Sequence, residues 1–231
     1  MAVPYARDRS IFRSSYNPNV GTTEATIWPK NTAYVFPPSV GHMTLYSSST
    51  ADSIQLVLID GLDANYVEIS EVLVLNGQTG IQTSLQYLRI NTMTVLTDSP
   101  QGNISLGTGV ATAGVPANTY AYINAGDNVT NAAIYTVPAG YTLRLASGSI
   151  SAGGSTGSQT VTAKFRSRIN GVTYLTANIS IANNYQFFPY NPTLEIPEKT
   201  DVYNNAFTNA NTSSVSATFN GWLVKNNIVR N

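Results

Sequence analysis

The sequence contains no cysteine and a single histidine. The absence of cysteine excludes disulfide scaffolds, cysteine-ligated zinc, iron–sulfur clusters and thiol catalysis. With one histidine, a Ser-His-Asp triad or a metal site built from several histidines is hard to assemble within one chain. We therefore predict a non-enzymatic protein with no catalytic residue, no metal site and no bound cofactor.

Charged side chains are also scarce. They make up 10 % of the 231 residues, and 12 Lys and Arg balance 12 Asp and Glu. An ordinary soluble domain has about 25 % charged residues. A nucleic-acid-binding protein usually carries a basic surface, so this balance predicts no nucleic-acid partner. A surface of Ser, Thr, Asn and Gln gives little repulsion between molecules and is typical of a protein packed against copies or partners.

Long hydrophobic runs are absent as well. No stretch reaches the roughly 18–20 apolar residues of a membrane-spanning helix, so we predict no membrane partner. Residues 1–13 contain three arginines with no apolar stretch after them, which predicts that there is no signal peptide.

The pattern that is present is an alternation of apolar and polar residues. Residues 160–169 alternate with a basic outer face, and Asn170-Gly171 is a strong signal for a hairpin turn that leads into a return strand over 172–181. A second hairpin joins 53–59 to 66–75. Helical periodicity is nearly absent, and turn signals recur about every 8–12 residues. The fold class predicted is all-β: antiparallel β-sandwich or jelly-roll units preceded by an extended N-terminal arm.

Composition shifts along the chain predict three regions. Residues 1–32 contain three prolines and lack periodicity, so they form the extended arm. Residues 33–110 form a first β domain, and residues 118–231 form a second, jelly-roll-like sandwich. A Gly-, Thr- and Ala-rich seam separates the two, and we expect Gly107 and Gly109 to provide a flexible crossing there.

Polar clusters offer few chemical sites. Residues 60–65 (DGLDAN) resemble a calcium loop only loosely, and ordinary turn residues explain them better. Glu68 and Glu71 point to opposite faces of one strand, and Glu195, Glu198 and Asp201 are expected at the surface, so neither set suits a glycosidase. His42 has no second ligand nearby and is expected to be a surface or hydrogen-bonding residue.

Two sets of residues are candidates for contacts with a partner. The basic side chains of the arm could bind acidic groups on a partner, or they could belong to a solvated tail; they are Arg7, Arg9, Arg13 and Lys30. A cluster of aromatic side chains could form an interface or a carbohydrate-stacking surface, or it could supply the core and its rim; it consists of Tyr185, Phe187, Phe188 and Tyr190.

Several segments resemble those of β-rich virion structural proteins of tailed bacteriophages, especially marine and cyanobacterial phages. The segments are 59–71 (IDGLDANYVEISE), 75–77 (LNG), 88–91 (LRIN), 133–142 (AIYTVPAGYT), 197–202 (PEKTDV) and 215–224 (VSATFNGWLV). The resemblance spans roughly residues 44–226 and leaves the arm largely uncovered. It implies a virion component that is made in the host cytoplasm.

Among phage components, the resemblance most suggests a capsid decoration (cement) protein. Such a protein is typically a homotrimer on the outer surface of the head shell, with the major capsid protein as its partner. Two other roles remain open at this stage: a fibre or adhesion protein that binds host glycan, and a tail adaptor that forms a ring.

Overall fold

The computed structural model describes residues 9–30, 32–110, 114–153, 159–182 and 184–226. These residues form sixteen β-strands and no α-helix. In chain order the strands are β1 (Arg9–Val20), β2 (Ala25–Thr26), β3 (Thr44–Ser47), β4 (Leu56–Leu62), β5 (Glu68–Val74), β6 (Ile81–Gln82), β7 (Arg89–Val95), β8 (Ile104–Val110), β9 (Pro116–Ile123), β10 (Ile134–Thr136), β11 (Tyr141–Gly153), β12 (Thr160–Ile169), β13 (Val172–Ala182), β14 (Tyr185–Ile196), β15 (Asp201–Thr208) and β16 (Ser213–Lys225). All strand pairs are antiparallel, so the predicted all-β class is confirmed.

The chain divides into two compact units. Unit 1 combines residues 1–27 with residues 133–231, and unit 2 consists of residues 28–132. Unit 2 is thus inserted between the first strands of unit 1 and the rest of it. The sequence predicted a domain boundary between residues 110 and 118. In the structure, the strands on either side of this segment, β8 and β9, pair with each other within unit 2. There Gly107 lies in a strand, and a Cβ on it would come within 1.7 Å of the Asn118 carbonyl oxygen, so this glycine permits close strand contact.

Unit 1 has the strand order of a jelly roll. One sheet, sheet A, has the order β1-β16-β11-β14, and the other, sheet B, has the order β10-β15-β12-β13 with β2 beside β15. Without β2, the eight strands lie in chain order in sheets A, B, A, B, B, A, B and A, with the β12–β13 hairpin at the centre of the order. This is the arrangement of a long hairpin folded over on itself, the double Greek key of a jelly roll. Both sheets contribute to the same buried clusters: Phe165 of sheet B meets Phe219 of sheet A edge-on at a centroid distance of 5.9 Å.

The expected N-terminal arm is extended, but its described part is a strand of this sandwich. Residues of β1 pair with β16 from Arg9↔Leu223 to Val20↔Ser213. Two of its buried positions are polar, which hides the alternation: the Ser15 hydroxyl donates to the Ala217 carbonyl at 3.1 Å, and the Asn17 amide donates to the Thr26 carbonyl at 3.2 Å.

Unit 2 is a smaller arrangement of two sheets, with orders β6-β3-β8-β9 and β5-β4-β7. Strands from both sheets fill one apolar cluster, which includes Leu45, Ile59, Met93 and Leu106. In the described part of the chain, no helix is long and apolar enough to cross a membrane.

Candidate interaction surface

The outer face of sheet A carries aromatic side chains that are largely exposed. Strand register places them on one face, because laterally paired residues of an antiparallel sheet point the same way. We call this surface the aromatic face and define it by Phe12, Tyr16, Tyr185, Phe187 and Trp222. Their exposed fractions range from 38 % for Tyr16 to 60 % for Phe12.

Four of the five rings stand at the two sides of the aromatic face, on the outer strands β1 and β14, and Trp222 lies on the inner strand β16. One row across the sheet runs Tyr16, Ser216, Ser151, Tyr185, so its two outer positions are both tyrosines. The outer strands are three strand spacings apart, about 14 Å. The rings of β1 and β14 thus flank a central strip of small polar residues, and Trp222 lies at one end of this strip, opposite Arg144.

The central strip consists of hydroxyl and amide groups that bond to each other. Ser149 and Thr218 have their hydroxyl oxygens 2.6 Å apart, and the Ser147 hydroxyl donates to the Asn220 side-chain oxygen at 3.1 Å. In the row that contains Trp222, Arg144 and Glu195 form an ion pair at 2.9 Å. A sheet face with hydrogen-bonded polar groups and exposed rings has the composition of a protein interface, in which Tyr, Trp and Phe are enriched.

The aromatic cluster predicted from the sequence divides between the two faces of β14. Tyr185 and Phe187 are at least half exposed on the aromatic face. Phe188 and Tyr190 are half-buried, pack against the core clusters and contact each other edge-on at 5.9 Å. Burial also raises the pKa of the Tyr190 hydroxyl. A Cβ on Gly148 would come within 2.3 Å of the Phe188 ring, so the glycine makes room for this inward ring.

The candidate basic residues do not form one group. Arg9 is exposed with its guanidinium 5.7 Å from the Tyr141 ring centroid, and Arg13 stacks on Tyr135 at 4.9 Å. Lys30 belongs to unit 2, where its ammonium donates to the Thr119 hydroxyl beside a cavity of about 240 Å³. Burial lowers the pKa of Lys30. Arg7 lies outside the described residues.

Sequence reasoning missed a charge cluster around Glu24. Its carboxylate accepts hydrogen bonds from Lys164 at 2.7 Å, from Arg166 at 2.6 and 2.9 Å, and from Asn205 at 2.9 Å. The charge of the basic outer face predicted for β12 is therefore partly offset, because Lys164 and Arg166 share the Glu24 carboxylate and Arg168 lies 3.7 Å from Asp201. Burial favours a higher pKa for Glu24, but these donors and the charge of Arg166 lower it from 4.5 to about 2.

A lowered carboxyl pKa predicts stability that depends on pH. The contribution of Glu24 is present above pH 4.5 and is lost as the pH falls towards 2, because protonation removes the acceptor charge. We expect Glu24→Gln to cost about 2 kcal/mol at neutral pH and to flatten the acid limb of the stability curve. Urea unfolding over a pH series measures both effects.

The control for this experiment is Glu195→Gln, because Glu195 forms an ion pair with Arg144 but is 59 % exposed. Such exposed pairs contribute little, about 0–1 kcal/mol. This variant is expected to keep the wild-type pH dependence. An acid limb equally steep in the wild type and in Glu24→Gln would contradict the assignment.

Asp63, Glu71 and His42 have structural contacts. Asp63 accepts the backbone N–H groups of Asn65 and Val67 at 2.8 and 2.9 Å, as expected of a turn. Glu71 accepts two backbone N–H groups, and one ring nitrogen of His42 lies 2.9 Å from the Thr83 carbonyl oxygen. Among the described residues, no three His, Cys, Asp or Glu side chains are grouped as a metal site requires.

No protein-family model and no curated protein matches the chain. Solved structures of infectious bursal disease virus align weakly with it. The VP2 subviral particle aligns over 97 % of this chain and 74 % of that one, with 13 % identity and a TM-score of 0.25. The Gx strain structure aligns over 99 % and 75 %, with 11 % identity and a TM-score of 0.26. TM-scores of this size establish neither a shared topology nor a shared role.

Proposed function

We propose that this chain is a non-enzymatic virion structural protein of a tailed bacteriophage. Its specific role in this proposal is that of a capsid decoration protein, which binds the major capsid protein on the outer surface of the head shell and stabilises the shell. The sequence resemblance over residues 44–226 supports the phage assignment. The jelly roll is compatible with it but does not decide it, because the same fold serves many functions.

The observation that carries the proposal is the aromatic face. A fully covered aromatic side chain buries about 150–250 Å². Because these five rings are about half exposed, covering them removes about 500 Å² from water, about 12 kcal/mol before the costs of association. The bonded hydroxyl strip between them is already ordered, so a partner subunit would find a rigid surface.

Binding to head shells that lack the protein tests this role. We expect purified protein to co-sediment with such shells and to raise their melting temperature. Phe12→Ala and Phe187→Ala, on opposite sides of the aromatic face, are each expected to weaken binding about tenfold. Both side chains are at least half exposed, so the fold should be retained.

The matched controls are Val35→Ala and Ile54→Ala, which remove side chains that are 66 % and 71 % exposed in unit 2. They are expected to bind shells as the wild type does. Failure of the wild type to bind, with no change in shell melting, would refute the decoration role. Equal losses in the controls and the aromatic variants would refute the assignment of the aromatic face.

A glycan-binding adhesion protein is the second candidate. It is favoured by the position of Tyr185 and Phe187 beside the hydroxyl groups of Ser151 and Ser149, since exposed rings next to hydroxyl groups suit sugar stacking. Binding on a glycan array that is lost in Tyr185→Ala, without affinity for shells, would favour this candidate. Hydrolysis of capsular polysaccharide by the pure protein would overturn the non-enzymatic proposal.

A further inference from the structure

We infer that β13 pairs antiparallel with β13 of a second copy of this chain. The strand is the outer member of sheet B, and β12 is its one pairing partner among the described strands. It spans 11 residues with the sequence VTYLTANISIA, which contains no charged residue and no proline. A long, uncharged edge strand is a template for further strand pairing unless something covers it.

The other edge strands of the described chain that are longer than three residues each contain proline or a charged side chain, two of the means by which edge pairing is blocked. These residues are Arg9, Arg13 and Pro18 in β1, Glu68 and Glu71 in β5, Arg89 in β7, Pro116 in β9, and Pro189, Pro192 and Glu195 in β14. β13 contains neither proline nor a charged residue. Its register against β12 shifts at Thr176, so a partner strand has to pair with the segments on both sides of that shift.

The side chains of β13 also fit an apolar partner. Val172, Tyr174 and Leu175 are each more than half exposed at the start of the strand, next to the hairpin turn at Asn170 and Gly171. Side chains of this kind on an open edge are costly to leave in water and add apolar contact when a second strand covers them.

Charge permits a second copy of the same strand as the partner. Antiparallel self-pairing places β13 opposite itself, and with no charged residue in the strand no like charges meet. The three cations on neighbouring β12 are largely offset by two carboxylates: Lys164 and Arg166 bind Glu24 at 2.7 and 2.6 Å, and Arg168 lies 3.7 Å from Asp201. The one positive charge that remains is on β12, one strand away from the proposed contact, so repulsion between two copies is small.

Backbone geometry gives the contact sufficient size. Two antiparallel strands of 11 residues form about ten backbone hydrogen bonds. A typical stable protein interface has about the same number. Pairing a strand with itself also places the two copies on a two-fold axis, the commonest symmetry of soluble oligomers. The resemblance to decoration proteins implies a trimer instead, so the mass of the free protein distinguishes the two.

Sedimentation equilibrium of the full chain and a charged variant tests the pairing. We expect wild-type protein to have twice the mass of one chain. Val172→Lys combined with Leu175→Lys should raise the dimer dissociation constant at least about tenfold, because in the 11-residue antiparallel pair these positions lie opposite Ala182 and Ile179 of the other copy, where each lysine replaces an apolar contact by a charge that loses water. The control combines Val72→Lys with Val74→Lys, on β5, where the side chains are 48 % and 51 % exposed; it should dimerise normally.

Hydrogen exchange provides the second measurement. Amide groups along β13 are expected to be protected in the wild-type dimer and to exchange faster in the β13 variant, while amide groups of β16 keep their protection. Three results would each overturn the inference. The wild type could be a monomer or a trimer, the β13 variant could dimerise as tightly as the wild type, or the control could dissociate as much as the β13 variant. A dimer that fails to bind shells would refute the decoration role alone, and a monomer that binds them would refute the pairing alone.

Discussion

We expect Gly221→Ala to lower the free energy of unfolding by about 3 kcal/mol or more, because it forces overlap at the centre of sheet A. A Cβ at Gly221 would lie 2.1 Å from the Arg144 carbonyl oxygen and 2.9 Å from the Leu145 Cα. Both atoms belong to the backbone of β11, so no side-chain rotation relieves the clash. The approach is close because the β11–β16 register shifts between Leu145 and Ser147.

Urea unfolding monitored by far-ultraviolet circular dichroism measures this loss. The matched control is Gly21→Ala in the same unit, since a Cβ on Gly21 would have no atom within 4 Å. The control is expected to stay within about 0.5–1 kcal/mol of the wild type. If Gly221→Ala were as stable as the control, the described pairing of β11 with β16 would be incorrect.

Asp52→Ala is expected to destabilise unit 2 by about 3 kcal/mol, because buried donors lose their acceptor. The Asp52 side chain is fully buried. It accepts the backbone N–H groups of Gln101 and Gly102 at 2.8 and 2.9 Å and the Ser47 hydroxyl at 2.5 Å. Asp52→Asn keeps the shape and one acceptor oxygen, so a smaller loss is expected.

Fluorescence of Trp28 reports this effect within unit 2. The chain has two tryptophans, so a Trp222→Phe background isolates the signal of buried Trp28. The control is Asp127→Ala, which removes an exposed carboxylate that accepts from the Asn124 side chain at 3.2 Å. Equal denaturation midpoints for Asp52→Ala and Asp127→Ala would show that the hydrogen bonds from Ser47, Gln101 and Gly102 to the Asp52 carboxylate do not stabilise unit 2.

Local patterns predicted the strands that carry strong local signals. Strands β12 and β13 lie almost where the alternation and the Asn170-Gly171 turn placed them. Strand β1 lacked such a signal, because Ser15 and Asn17 fill inward positions and satisfy their polar groups through backbone partners. The insertion of unit 2 could not be read from the sequence, since β1 pairs with a strand about 200 residues away in the chain, a distance that local periodicity does not reach.

The candidate surface was predicted only in part for a related reason. Phe187 and Phe188 are neighbours of equal hydrophobicity on opposite faces of a strand, so the sequence leaves open which of them is exposed. Phe12, Tyr16 and Trp222 were missed because their position on the same sheet face as Tyr185 and Phe187 arises from the strand order of sheet A. The Glu24 cluster likewise joins residues about 140 or more positions apart.

Imaging of intact phage particles at a resolution that traces the chain is the most direct test of the central claim, which is that this protein works by covering its surface with other subunits. We predict copies on the outside of the head shell with the aromatic face against shell subunits. Particles without the protein, or copies on the shell whose aromatic face points into solvent, would contradict the claim.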